Sequence, residues 1–161
     1  MKRLISNILL FSGVALIVFS CIYMLYLHIS QKEAIKASDN IVSTILSLIP
    51  ENQNGYADEN DFTDMPSVEI NGNDFIGLIK VPAYDVILPI HSNWTKNALT
   101  SYPHRFNGSI YDGSLVIGGS DIKGQFDFTE YISIGDEVSV TDMTGVKFTY
   151  TVDDIITIKD N

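Results

Sequence analysis

Residues 138–152 read VSVTDMTGVKFTYTV. Val138 and Val140 alternate with Ser139 and Thr141, and after the turn Val146, Phe148, Tyr150 and Val152 alternate with Lys147, Thr149 and Thr151. A period of two on both sides of a Gly-ended loop, Asp142-Met143-Thr144-Gly145, predicts a β-hairpin with one apolar and one polar face. Working back along the chain, Phe75–Val81 (FIGLIKV), Val86–Ile90 and Leu115–Ile117 are short apolar runs separated by Pro, Gly, Asn and Asp, the punctuation of further strands. The region from Asp74 onward is therefore expected to be a small, mainly β domain. It ends on an apolar run, Ile155-Ile156-Thr157-Ile158, which would leave an unpaired apolar edge that native sheets usually cover or charge.

The residues upstream have a different character. Residues 51–74, ENQNGYADENDFTDMPSVEINGND, hold seven acids and no base, with Asn-Gly near both ends, and read as an acidic linker over 51–73. Asp58, Asn60 and Glu69 suit positions 1, 3 and 12 of a calcium loop, but Phe62 and Thr63 stand where a ligand and the obligatory glycine belong, so an EF-hand is rejected. Before the linker, Val42, Ile45, Leu46 and Ile49 follow i, i+3, i+4, i+7, which predicts an amphipathic helix over 32–50, started near Ser38 or Asp39 and ended by Pro50.

The N-terminus is apolar. Between Arg3 and Lys32 there is no Asp, Glu, Lys or Arg in 28 residues, and Leu4–Leu27 is long enough to cross a bilayer. Tyr23, Tyr26 and His28 lie near one end and Lys2 and Arg3 at the other, which places the N-terminus in the cytoplasm and the rest outside. Residues 1–31 are thus expected to be a retained signal anchor, because a cleaved leader has a shorter apolar run and a small-residue site that is missing here. Cys21 follows Ser20, but Val18 and Phe19 fit a lipoprotein cleavage pattern poorly, and the cysteine reads as part of the helix.

Composition narrows the function classes. The 161 residues carry a net charge of −10, and residues 32–161 alone carry 8 bases and 20 acids, so phosphate repulsion argues against a nucleic-acid partner. A single cysteine forms neither an internal disulfide nor a Cys-rich zinc site, and no metal or cofactor is expected.

In the β region the chain resembles the sortases, cysteine transpeptidases of Gram-positive surfaces, and most closely the class B-like group. The matching stretches are Phe75-Ile76-Gly77 with Val81-Pro82, Val86-Ile87-Leu88-Pro89-Ile90, Ser92-Asn93-Trp94, Arg105-Phe106-Asn107-Gly108-Ser109, Leu115-Val116-Ile117 and Ile134-Gly135-Asp136-Glu137-Val138. Their order resembles the first six strands of the family's eight-stranded barrel, so residues 74–161 are expected to form a partial, truncated sortase-like β domain. The resemblance implies a thiolate that attacks a Thr–Gly-type bond of a sorting signal, with surface proteins as partners and an amine that resolves the thioacyl intermediate. Such chemistry needs a cysteine nucleophile, a histidine acid/base and an arginine that steadies the oxyanion.

Those three parts are missing from the expected places. Where the family has Ala-Gly-His-Asn, this chain has Gly118-Gly119-Ser120-Asp121, so Ser120 occupies the histidine position. A serine hydroxyl does not titrate near neutrality as imidazole does. The family's cysteine and arginine strands have no counterpart here, and Arg105 aligns with an earlier, non-catalytic arginine. The expected set of catalytic residues is therefore none. Ser120, His104, Asp112 and Asp121 supply the letters of a Ser-His-Asp triad, which geometry alone can recognise, against the plainer reading that they lie on solvated loops. His91 and Trp94 read as a strand end and the loop beyond it, and Asn93-Trp94-Thr95 and Asn107-Gly108-Ser109 as ordinary turns rather than glycosylation sites. The readings that follow are a truncated, inactive sortase, an anchored pseudo-enzyme that binds a sorting peptide, an active enzyme completed by a further segment, and an anchored β domain of other ancestry.

Overall fold

The computed structural model describes residues 2–50, 64–94 and 102–158. The stretch 51–63, which holds most of the expected linker and the rejected calcium loop, lies outside the described residues, as do Thr95 and the last three residues. Contacts divide the chain into two units, residues 1–36 and 37–161.

Helix α1 (Lys2–Leu48) is one uninterrupted element, so the helical stretch expected over 32–50 continues from the apolar one, one of the two arrangements its sequence allowed. The physical reason is that no glycine or proline stands between Gly13 and Pro50. A capping serine or aspartate starts a helix only where the preceding backbone is non-helical. From Leu10 onward α1 is long and apolar enough to cross a membrane, with a mean hydropathy of 2.2 in its most apolar window, a property it shares with signal sequences. In the second unit, Ile41, Val42 and Ile45 are buried and Ile49 is half-buried, whereas Leu46 is 55% exposed. The docked stripe is thus 38, 41, 42, 45 and 49, which shares Val42, Ile45 and Ile49 with the expected set and leaves Leu46 out, with Ser38 buried in it. The helix ends two residues before Pro50, as expected.

The remaining elements are strands β1 (Val68–Ile70), β2 (Asn73–Val81), β3 (Val86–His91), β4 (His104–Asn107), β5 (Val116–Gly118), β6 (Glu137–Asp142) and β7 (Lys147–Thr151). Six of them form an open half-barrel sheet in the order β5-β4-β3-β2-β6-β7, and β1 pairs with β2 beside this path. The predicted hairpin is β6–β7, with Val140 opposite Phe148 and Val138 opposite Tyr150. Two elements differ from expectation. Residues 68–70, read as linker, form β1, because Asn71 and Gly72 both take positive φ (52° and 77°) and close a two-residue hairpin onto β2. The run Ile155-Ile156-Thr157-Ile158 is exposed and in no strand.

Strand β2 is the hub, flanked by β3 and β6 and touched by β1. Its run of apolar residues feeds two cores. Phe75 and Leu78 pack with Ile41, Val42, Ile45, Ile70 and Met143, while Ile76 and Ile79 pack with Leu88, Ile90, Ile110 and Val140. Simple alternation would put Phe75 and Ile79 on the same face. A bulge between Phe75 and Gly77 shifts the register against β3 by one residue and re-sorts the side chains. Gly77 makes that possible: its φ is +151°, and a Cβ there would lie 2.1 Å from the Thr141 carbonyl oxygen.

The hairpin turn is held by one buried carboxylate. Asp142 Oδ1 accepts hydrogen bonds from Thr144 N (2.9 Å), Val146 N (3.0 Å) and Thr144 Oγ1 (2.7 Å), and Oδ2 accepts one from the Tyr111 hydroxyl (2.6 Å). Burial and the bond to Asp142 push the Tyr111 phenol above its ordinary range, so it stays a donor. The carboxylate thereby ties the loop before β5 to the β6–β7 turn.

Two substitutions test this frame by urea unfolding. Gly77→Ala is expected to destabilise the domain by about 2–4 kcal/mol, through the backbone clash and the strained φ. Asp142→Ala is expected to cost about 2–4 kcal/mol, and Asp142→Asn, which keeps an acceptor in the turn, distinctly less.

Candidate functional site

One end of the sheet gathers side chains that are far apart in sequence. His91, the last residue of β3, is the parallel partner of His104 at the start of β4, and His104 is the antiparallel partner of Gly118 at the end of β5. The two imidazoles therefore meet, with ring centroids 4.7 Å apart and planes tilted by 44°. Asn93 organises both. Its carbonyl lies within hydrogen-bonding distance of both His104 Nδ1 (2.8 Å) and His91 Nδ1 (3.0 Å), and its N–H is 3.2 Å from His91 Nδ1. His104 is fully buried, and among the described residues its Nε2 has no hydrogen-bond partner. Phe75 closes the apolar side, edge-on to His91 at 5.7 Å.

His91 sits where a positive charge is poorly accommodated. Desolvation lowers the His91 pKa, the hydrogen bond with Asn93 works against that, and the neighbouring His104 adds to the lowering. Arg105, next on β4, points the other way. Its Nε donates to the Ser92 carbonyl (2.9 Å) and its Nη1 to the Asp64 carboxylate, so it anchors the segment that leads into β1. That guanidinium, together with the Met65 N–H, holds the Asp64 carboxyl below the usual range. Arg105 is thus a tethering residue.

The positions singled out from sequence are placed as follows. Trp94 lies beyond β3, as expected, over Gly118 and edge-on to Phe106 at 5.0 Å. Ser120 follows β5 by two residues; its N–H donates to Gln125 Oε1 (3.4 Å) and its carbonyl accepts from Phe126 N (3.1 Å). Asp112 accepts from Ser114 N (2.9 Å) and Ser114 Oγ (2.5 Å), which commits it to its own turn. His104 is committed through Nδ1 to Asn93. The lettered triad is therefore not assembled around His104 and Asp112. Cys21 lies on the exposed surface of the apolar part of α1.

Two features went unread in the sequence. One is the His91–His104 pair, which depends on a parallel β3–β4 contact. The other is Asp64, one acid among seven in its stretch, with nothing to mark it as the partner of Arg105. A second concavity is apolar: a groove of about 280 Å³ lined by Ile79, Leu115, Ile117, Val138, Val140 and Tyr150, between β5 and the β6–β7 hairpin. Strands β5 and β7, which flank it, stand at the two ends of the strand order.

No family model matches this chain, and no curated protein does. Solved structures of sortases are similar to it. Sortase C1 from Streptococcus suis is 21% identical over 51% of this chain and 50% of its own, with a TM-score of 0.43. Sortase C1 from Streptococcus agalactiae is 17% identical, over 64% of this chain and 56% of its own, with a TM-score of 0.46. A Clostridium perfringens sortase D5 transpeptidase is 20% identical over 78% and 68%, with a TM-score of 0.43. This chain spans between half and about two thirds of the length of those proteins.

The histidine pair gives stability a pH dependence of definite sign. Because the folded state disfavours the His91 cation, the unfolded chain takes up that proton first, starting near the ordinary value of 6.5. The contribution is complete above that pH and is lost as the pH falls through the lowered folded value. Urea unfolding at pH 7.5 and pH 5.5 should show lower stability at the acid pH, with the difference reduced in a His91→Gln variant.

Proposed function

We propose that this chain is a membrane-anchored protein of the sortase type, class B-like by its motifs, which does not carry out transpeptidation within its 161 residues. The observation that carries the reading is the second residue after β5. Sortase-type chemistry needs an imidazole there to move a proton, and the position holds Ser120. The sole thiol in the sequence, Cys21, belongs to the apolar helix and not to the β domain. The positive end at Lys2 and Arg3 orients the anchor with its N-terminus in the cytoplasm and the β domain outside.

A second reading is favoured by the apolar groove. An anchored pseudo-enzyme would use it to hold an apolar sorting-signal peptide or a surface protein, with backbone pairing along β5 or β7 and no bond broken. The two readings share the absence of chemistry and differ in peptide affinity.

The test is incubation of the purified chain with a fluorogenic sorting peptide that contains a Thr–Gly bond. No cleavage is expected, either from the unaltered chain or from Ser120→His, since the nucleophile is still missing. Cleavage by either protein would overturn the assignment. Saturable binding of the uncleaved peptide, weakened by Tyr150→Ala in the groove, is the outcome that selects the pseudo-enzyme.

A further inference from the structure

We propose that the contact between His91 and His104 is an acid-operated latch on the seam between β3 and β4. At neutral pH it holds the β4–β5 ribbon against the sheet, and a proton on the pair lets the ribbon swing and spreads the apolar groove. The latch belongs to the mechanics of the sheet and is independent of the transpeptidase reading.

This seam is the least paired join in the sheet. Strand β2 pairs with β3 from Phe75–His91 to Val81–Val86, and with β6 from Gly77–Asp142 to Lys80–Ser139. Strands β3 and β4 share the single parallel pair His91–His104, beside a bond from His91 N to the Pro103 carbonyl (2.9 Å). Because β5 ends the strand order, β4 is the ribbon's strand-to-strand link to the rest. The ribbon side carries Leu115 and Ile117, one wall of the apolar groove, while Ile79, Val138, Val140 and Tyr150 of the other wall stand across the seam. Movement at β3–β4 therefore changes the width of the groove.

The two residues that meet at this join are both imidazoles, 4.7 Å apart, with His104 fully buried and His91 8% exposed. An imidazolium donates from both ring nitrogens. A proton added to His91 would set Nδ1–H against the Asn93 N–H, 3.2 Å away, and make it share the Asn93 carbonyl with His104 Nδ1. Few surrounding groups offset that conflict. On β2, Phe75 presents a ring edge and the exposed Asp74 favours the cation. Before β4, Tyr102 packs on Phe75, and burial raises its phenol pKa, so it stays neutral. Asn93 and Trp94 carry no charge, and Arg105 on β4 is itself positive and bound to Asp64. Desolvation lowers the His91 pKa and outweighs the Asn93 carbonyl and Asp74.

Closure is thus complete above the ordinary histidine value and is lost as the pH falls through the lowered one. The Arg105 tether persists there, because the Asp64 carboxyl is held below the usual range, so the ribbon swings on the tether and does not leave the sheet. The third histidine of the chain, His28, lies in α1, so in the β domain the pair alone has side chains that ordinarily titrate between pH 5 and 8.

The test measures the distance across the groove in the full chain, held in detergent micelles. With Cys21→Ser as background, nitroxides on Val116→Cys and Thr149→Cys, both exposed positions, are read by pulsed electron–electron double resonance. Labels on Lys80→Cys and Thr149→Cys form a control pair that does not cross the seam. From pH 7.5 to pH 5.5 the fraction of long Val116–Thr149 distances is expected to rise roughly threefold or more, while the control distances stay as they are. His91→Gln or His91→Phe should abolish the change. An unchanged Val116–Thr149 distribution overturns the proposal, and that comparison needs neither histidine variant to fold. So does an equal change in the control pair, or a change that survives either substitution.

Discussion

The close approach of β2 and β6 at Gly77 is the constraint on which the rest of the domain depends. A backbone with no side chain, at φ +151°, lets the Thr141 carbonyl come so near that any Cβ would collide with it. The resulting bulge moves one residue's worth of register, and that single step decides which apolar side chains face the helix and which face the other core. Without it Phe75 and Ile79 would compete for one face. Helix docking through Ile45, the β1 hairpin and the β6–β7 hairpin all meet on the strand that this glycine bends.

The end of the sheet shows how the same frame creates chemistry that no single strand contains. Pairing β3 with β4 and β4 with β5 brings His91, His104 and Gly118 into line, and the Asn93 backbone reaches Nδ1 of both imidazoles. A charge on His91 would have to be partly desolvated. On the outer side, Arg105 and Asp64 cancel each other, although residues 32–161 are strongly acidic. The two histidines serve packing, and the arginine next to them serves tethering.

Some of this was legible in the residues. The β6–β7 hairpin was, because alternation and a Gly-ended turn are local signals, and so was the end of α1 before Pro50. The start of the docked helix was misread because Ser38 has the chemistry of a cap and yet sits in the helix with its side chain buried. Strand β1 was hidden by acidity: Glu69 and its neighbours look solvated, while Val68 and Ile70 reach the core through an Asn-Gly turn. The failure of His104 and Asp112 to assemble as a triad with Ser120 could not be read from the sequence, because it required knowing that His104 is bound to Asn93 and Asp112 to Ser114.

By itself the sequence determined the features whose causes are local: an apolar helix at the N-terminus, a β region with a hairpin at 138–152, and a net negative charge. Tertiary structure alone decided which residues become neighbours. His91 and His104 are thirteen positions apart and Asp64 and Arg105 forty-one, and neither pair has a periodicity to announce it. Such contacts follow from strand order and register, which are chosen by the packing of the whole sheet, and the energy that selects them belongs to no one segment.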